Sequence, residues 1–164
     1  MKKILKSKTR IRFNDCDPFN HLNNSKYVDY FINAREDQIL ENYGIDLSQL
    51  AKEHKIGWVV SLNQIAFFYP AFPNELVSID SQVISVDEKS LLIEMRMWNE
   101  NETKLKSISW TRLVHYHIIQ QISIPHSEEF QKLFQEITEP LEEKNFEERI
   151  NSLKASYKAA KSKA

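Results

Sequence analysis

Between Trp58 and Ile119 the chain leaves no room for a helix between its β-rich runs, and this limits the folds open to it more than any other feature. Trp58–Tyr69, Leu76–Val86, Leu91–Trp98 and Leu105–Ile119 are rich in β-branched and aromatic residues, as strands are. Pro70 and Pro73 separate the first pair, Asp87-Glu88-Lys89-Ser90 the second, and Asn99-Glu100-Asn101-Glu102 the third. A parallel neighbour needs a crossover of about a dozen residues or more, so connections this short dictate antiparallel pairing in sequence order. Trp58–Tyr69 is apolar on both faces at its ends, which predicts a central strand.

The segment before these strands has a different period. From about Ser25, the residues Val28, Phe31, Ile32, Arg35 and Ile39 recur at helical spacing, while Asp29, Asn33, Asp37 and Glu41 fall on the other side. Asn23, Asn24 or Ser25 can cap the start of this helix, and Gly44 is placed to end it in a left-handed conformation. Ahead of it, Thr9–Phe13 alternates Ile11 and Phe13 with Arg10 and Arg12 and predicts a short half-buried strand. Asp46–His54 predicts a short helix capped by Asp46 or Ser48. After the strands, Ser127–Ile137 gathers Phe130, Leu133, Phe134 and Ile137 on one helical face. The tail from Leu141 places Phe146, Ile150, Leu153 and Tyr157 at helical spacing, with glutamates early and lysines late as the helix dipole favours. One strand, a long helix and four strands in an antiparallel meander form an α+β pattern in which the sheet wraps the helix. The outer face and the sheet edges then need cover, from dimerisation or from the C-terminal helices. We expect a main domain over residues 1–140 and an amphipathic helical tail over 141–164.

Composition removes several function classes. With 22 basic and 23 acidic residues the formal net charge is −1, which gives no field to recruit nucleic acid or an acidic membrane. No apolar run approaches the roughly 20 residues of a membrane span, and no apolar stretch follows the basic N-terminus. A cytoplasmic protein is expected. Cys16 is the single cysteine, which rules out an intrachain disulfide and any Cys-x-x-Cys zinc site. Only Gly44 and Gly57 exist, too far apart to share a glycine-rich phosphate loop, a dinucleotide fingerprint or a Gly-x-Ser-x-Gly elbow.

The chemistry therefore concentrates in the loop from Asn14 to Asn24, where Asp15, Asp17, His21, Asn20, Asn23 and Asn24 are delivered to a helix N-terminus. Unpaired backbone N–H groups there favour negative charge. Three readings are open for Asp-x-Asp-x-x-x-His. It can ligate a metal through Asp15, Asp17 and His21; it can be a set of turn formers and caps; or it can hold a catalytic carboxylate. Cys16 is disfavoured as a nucleophile, because its two flanking aspartates oppose a thiolate. His115 and His117 share a strand face without an evident third ligand, and read as structural histidines. Arg35, on the apolar helix face, reads as a satisfied buried cation.

The run Phe13-Asn-Asp-Cys-Asp17-Pro-Phe-Asn-His21-Leu-Asn23-Asn24-Ser-Lys-Tyr27, followed by Phe31 and Ala34-Arg35, resembles the signature of the 4-hydroxybenzoyl-CoA thioesterase-like hotdog family. Trp58-Val-Val through Ile65, Phe67, Pro70 and Ala71 is similar to that family's second strand, and the element order from Thr9 to about Ile137 is similar to its whole domain. The resemblance implies a hotdog fold, an acyl-CoA substrate without metal or bound cofactor, and a homodimer or dimer of dimers with sites between subunits. It places the catalytic carboxylate at Asp17, as nucleophile or general base, with helix N-terminal amides polarising the thioester carbonyl. His21 would orient the loop or the attacking water, and Asn23, Asn24 and Tyr27 would line the substrate. Some family members carry several basic residues for the coenzyme phosphates where this chain has Asp87-Glu88-Lys89-Ser90, so Lys89 alone is expected there. Asn24 stands where some members have an aromatic residue or a histidine. Two alternatives accompany the acyl-CoA thioesterase reading: an acyl carrier protein thioesterase, and a non-catalytic acyl-CoA-binding or assembly module whose tail from Phe146 to Tyr157 docks a partner.

Overall fold

The computed structural model describes residues 1–161, and for residues 157–161 the backbone alone. The Tyr157 side chain of the expected tail lies outside the described part.

The strands are β1 (Ile4–Arg10), β2 (Ile56–Phe67), β3 (Leu76–Val86), β4 (Ser90–Asn99), β5 (Leu105–His117) and a short β6 (Ile122–Ser123). The helices are α1 (Tyr27–Tyr43), α2 (Leu47–Gln49, widening into a last turn at Leu50–His54), α3 (Glu128–Ile137) and α4 (Phe146–Lys161). The expected α1 forms: Asn23 Oδ1 accepts from Ser25 N–H at its start, and Gly44 ends it at φ 68° with its N–H on the Leu40 carbonyl. Asp46 caps α2 through Gln49 N–H, and Ser127 caps α3 through Phe130 N–H.

The sheet runs β1-β3-β4-β5-β2, with every neighbouring pair antiparallel and β6 added to β5. β3, β4 and β5 form the expected meander, but the four-strand version is corrected, because β2 crosses over to lie beside β5. β2 is consequently an edge strand and not a central one. Its residues Val59 to Gln64 are exposed, so its apolar character marks uncovered surface. β3, by contrast, is an interior strand, and its Ser78, Asp80, Ser81 and Gln82 are all buried. Polar residues are tolerated there because partners exist: Asp80 accepts from Arg96 Nε at 2.8 Å and Trp98 Nε1 at 2.9 Å. β1 starts at Ile4, five residues ahead of the expected strand, and ends before Ile11. Its lysines hide the strand period, and at an edge they discourage pairing with other chains.

The main core lies between α1 and the inner sheet face. Tyr27, Tyr30, Phe31 and Ala34 of α1 pack with Val77, Ile79 and Val83 of β3 and with Ile93, Met95 and Met97 of β4. Residues two apart on each strand supply one face, as the pleat requires. The outer face is covered in part by α4, where Phe146, Ile150 and Leu153 meet Ile84, Ile108 and Trp110. A buried charge pins that helix. Glu94, fully buried on β4, accepts from Arg149 Nε at 2.9 Å, Arg149 Nη2 at 2.8 Å and Trp110 Nε1 at 2.8 Å. The apolar face of the tail is thus occupied by the chain's own sheet.

Candidate active site

The loop between β1 and α1 is ordered by its own side chains. Tyr30, one turn inside α1, donates its hydroxyl proton to Asp15 Oδ2 at 2.8 Å and accepts from Arg12 N–H at 2.8 Å. Burial, first, and the Asp15 contact push the Tyr30 phenol up to about 12, so it remains a donor throughout the working pH range. The Asp15 carbonyl accepts from Asn23 N–H, and Leu22 N–H bonds the Ala71 carbonyl, which ties the loop to the end of β2. Asp15 is therefore an orienting carboxylate.

Asp17 is held two residues further on. Its Oδ1 accepts from Phe19 N–H at 2.9 Å and His21 N–H at 3.2 Å, and its own N–H donates to the His21 carbonyl at 2.8 Å. Asn20 takes the left-handed conformation, φ 63°, needed to close this turn, and asparagine tolerates it better than most residues. The second oxygen, Oδ2, has no protein partner among the described residues, and the side chain is half-buried. A carboxylate with one oxygen fixed and one free is suited to attack a carbonyl or take a proton from water. The turn-forming and catalytic readings of Asp17 are therefore compatible.

The remaining sequence-derived residues divide. His21 is half-buried with its ring 5.4 Å from Phe72, edge to face. Asn23 uses its side chain to cap α1 through Ser25 N–H and Ser25 Oγ, and Asn24 stands exposed beside it at the helix entry. Tyr27 is buried, with its hydroxyl accepting from Ala71 N–H at 3.2 Å and its ring 5.0 Å from Phe67. It supports the site from beneath. Lys89 is not brought to Asp17. It sits in the β3–β4 turn beside the ends of β5 and β2, whereas Asp17 lies beside the opposite ends, and the 11-residue β3 spans roughly 30 Å between them.

Of the residues that border His21 and the loop, Lys106 was missed from the sequence, whereas Phe72, with Trp58, Phe67 and Phe68, reads there as either an acyl or aryl contact or core. Phe72 faces His21, and Lys106, buried on β5, bonds Glu75 at 2.8 Å and the Pro70 carbonyl at 2.8 Å while its ammonium lies 5.5 Å from the Phe72 ring. Tyr69, Pro70, Phe72, Lys104 and Lys106 border a cavity of about 350 Å³ next to the loop. The short apolar run after β2 carried no periodic signal that could have placed these residues.

No group of three or more His, Cys, Asp or Glu side chains converges as a metal site among the described residues. Asp15 is engaged by Tyr30, and Asp17 by the backbone. Cys16 has its thiol pushed up by burial and then by Asp15 and Asp17, as the flanking charges imply. His115 is only partly satisfied: Nδ1 bonds the Pro125 carbonyl at 2.9 Å, while Nε2 is buried without a partner. His117 Nδ1 accepts from Gln120 N–H at 3.2 Å. Arg35 is buried as expected; among the described residues it forms no ion pair, and its side-chain partners are the Ser81 hydroxyl at 3.0 Å and the Tyr43 hydroxyl, both neutral.

The thioesterase-like superfamily model matches residues 11–135. Among solved structures, DHNA-CoA thioesterase from Staphylococcus aureus superposes with a TM-score of 0.75 at 15% identity, over 82% of this chain and 90% of that one. Slr0204 from Synechocystis, a 1,4-dihydroxy-2-naphthoyl-CoA thioesterase, gives 0.73 at 12% identity, over 84% and 99%. YbaW from Escherichia coli, described as a probable thioesterase, gives 0.68 at 26% identity, over 82% and 99%. No curated protein matches the chain significantly.

Proposed function

Because the chain belongs to the thioesterase-like superfamily and has its hotdog fold, we propose that it hydrolyses acyl-CoA thioesters to a free carboxylic acid and coenzyme A. The observation that carries this reading is the Asp17 carboxylate, fixed through Oδ1 and free at Oδ2 in the loop that leads into α1. The thioester carbonyl lies against the amides at the start of α1, beside Asn23 and Asn24, where the helix dipole favours the developing oxyanion. Asp17 either attacks the carbonyl carbon or removes a proton from the attacking water, with His21 orienting that water. The C–S bond breaks, the acyl carbon gains the water oxygen, and the thiolate takes up a proton. The amides and the carboxylate are sufficient for an already activated ester, so no metal or bound cofactor is invoked.

The active form in this reading is a cytoplasmic homodimer. β2 is a 12-residue edge strand with Val59, Val60 and Leu62 exposed, a long apolar edge of the kind that pairs. Trp58, near the start of β2, lies at the Lys89 end and Phe67 closes the strand at the Asp17 end. Two β2 strands paired antiparallel about a two-fold axis therefore bring Lys89 of one copy towards the Asp17 loop of the other, where it would meet a coenzyme phosphate. Described residues contain no helix long and apolar enough to cross a membrane.

The test is free thiol release from short, long and aromatic acyl-CoAs, with size-exclusion chromatography on the same sample. Saturable release by a dimer is expected. Tight acyl-CoA binding without release would instead support the non-catalytic module, and release only from carrier-bound acyl groups the carrier protein thioesterase.

A further inference from the structure

A second cavity, of about 160 Å³, lies along α1 beyond the candidate site. Ile32, Ile39, Trp58, Leu113 and Phe134 make its wall apolar, and Arg35 supplies the one buried charge among its lining residues. Arg35 is 8% exposed. Its guanidinium donates to Ser81 Oγ at 3.0 Å and to the Tyr43 hydroxyl, and its carbon lies 6.0 Å from the Tyr43 ring centroid. Ser81 in turn donates to Gln38 Oε1, so that neighbour is neutral. Glu36 lines the same cavity from its exposed side without forming an ion pair with Arg35.

A buried cation normally has a carboxylate or another anion beside it, because desolvating an unpaired charge costs more than neutral hydrogen bonds return. Burial pulls the Arg35 guanidinium down to about 10, which still leaves it charged at neutral pH. A guanidinium offers five N–H donors, and the two neutral hydroxyl acceptors, Ser81 and Tyr43, leave it donors for an anionic guest. The cavity is about the size of one known to hold a benzene ring, so it takes roughly six carbons. Along α1, Tyr27 at the helix entry and Arg35 are eight residues apart, about 12 Å on the axis. A medium-length acyl chain spans that distance.

We propose that this cavity receives the distal part of the acyl group and that Arg35 binds a carboxylate at its far end, making the substrates ω-carboxyacyl-CoAs of medium length. This assignment rests on the thioesterase reading for its reaction, but not for its binding chemistry. Arg35 acts as a specificity residue, with the apolar wall holding the methylene chain and the guanidinium pairing the terminal anion.

The test has two independent arms. The first compares kcat/KM for octanedioyl-CoA and octanoyl-CoA in the wild type and in Arg35→Met and Arg35→Lys. The wild type should prefer the dioyl substrate at least about tenfold, as expected for a charge-assisted pair. The preference should vanish in Arg35→Met and be partly kept in Arg35→Lys. A wild-type preference for octanoyl-CoA, or the same ratio in all three proteins, overturns the assignment. The second arm measures binding of octanedioate and octanoate to the wild-type protein by calorimetry, and needs neither turnover nor a folded variant. Tighter binding of octanedioate supports the assignment even if no thioester is hydrolysed, in which case only the reaction is wrong. Equal or weaker binding of octanedioate refutes the role of Arg35.

Discussion

Replacing Tyr30 with phenylalanine should loosen the catalytic loop while leaving the core full. The ring is retained, so the packing of α1 on β3 and β4 is unaffected and the change is confined to one hydroxyl. That hydroxyl makes two 2.8 Å bonds, donating to Asp15 and accepting from Arg12 N–H. A hydrogen bond to a charged group contributes about 1.5–3 kcal/mol and a neutral one about 0.5–1.5 kcal/mol. Asp15 is half-buried and water can take over part of its solvation, which brings the net loss to about 2 kcal/mol. For a chain of this length that corresponds to a fall in Tm of roughly 4–8 °C. The change should also reach function, because Asp17 follows Asp15 by two residues on the same loop: kcat/KM for an acyl-CoA should drop about tenfold, as small misplacements of reacting groups do. Urea denaturation at pH 7 and thiol-release kinetics measure the two effects. A stability change below about 0.5 kcal/mol, with unaltered kinetics, would refute the claim that Tyr30 organises the loop.

Arg149→Met leaves the Glu94 carboxylate buried with Trp110 Nε1 at 2.8 Å and Arg96 Nε at 3.7 Å, and should destabilise the fold by about 3 kcal/mol in a urea melt, with early exposure of α4 to proteolysis. Phe31→Ala empties a fully buried site in the main core and should cost about 3–5 kcal/mol by the same measurement. His115 and His126, stacked at 5.1 Å, have their imidazoles held below the usual range, chiefly by burial. A depressed folded-state value means that the unfolded chain binds the proton first. Their contribution is therefore complete above the ordinary imidazole range near pH 6.5, and is lost as pH falls below it, by up to about 1.4 kcal/mol per pH unit for each ring. Urea midpoints between pH 7.5 and 5.5 should show this slope, and His126→Phe should reduce it.

The long helix was legible because every local signal agreed: Asn23 at the cap, the apolar stripe through Phe31 and Ile39, and Gly44 at the end. The loop was legible for the same reason, since Asp17 and Asn20 are turn formers whatever else they do. β2 was misplaced because hydrophobicity reports burial in the assembled molecule. An edge strand with Val59, Val60 and Leu62 reads like a central one until its neighbours are known. β3 was the converse case, an interior strand whose Ser78, Asp80 and Gln82 find partners only in the folded sheet. The Arg35 cavity and the Phe72–Lys106 corner were invisible for a related reason. They are made by residues far apart in sequence, and no periodicity encodes a contact between α1 and β2 or between β5 and the end of β2. Lys89 was grouped with Asp17 by family pattern, and within one chain the topology puts them at opposite ends of the sheet.

The central claim is that the Asp17 carboxylate carries thioester hydrolysis. The most direct measurement is thiol release by the wild type and by Asp17→Asn, both with the same oligomeric state and melting temperature, on the best substrate of the acyl-CoA panel. Asparagine keeps the Oδ1 acceptor for Phe19 and His21 N–H but cannot act as base or nucleophile. The account predicts a fall in kcat of about 10²-fold or more, with substrate binding retained. Equal turnover by the two proteins would contradict it.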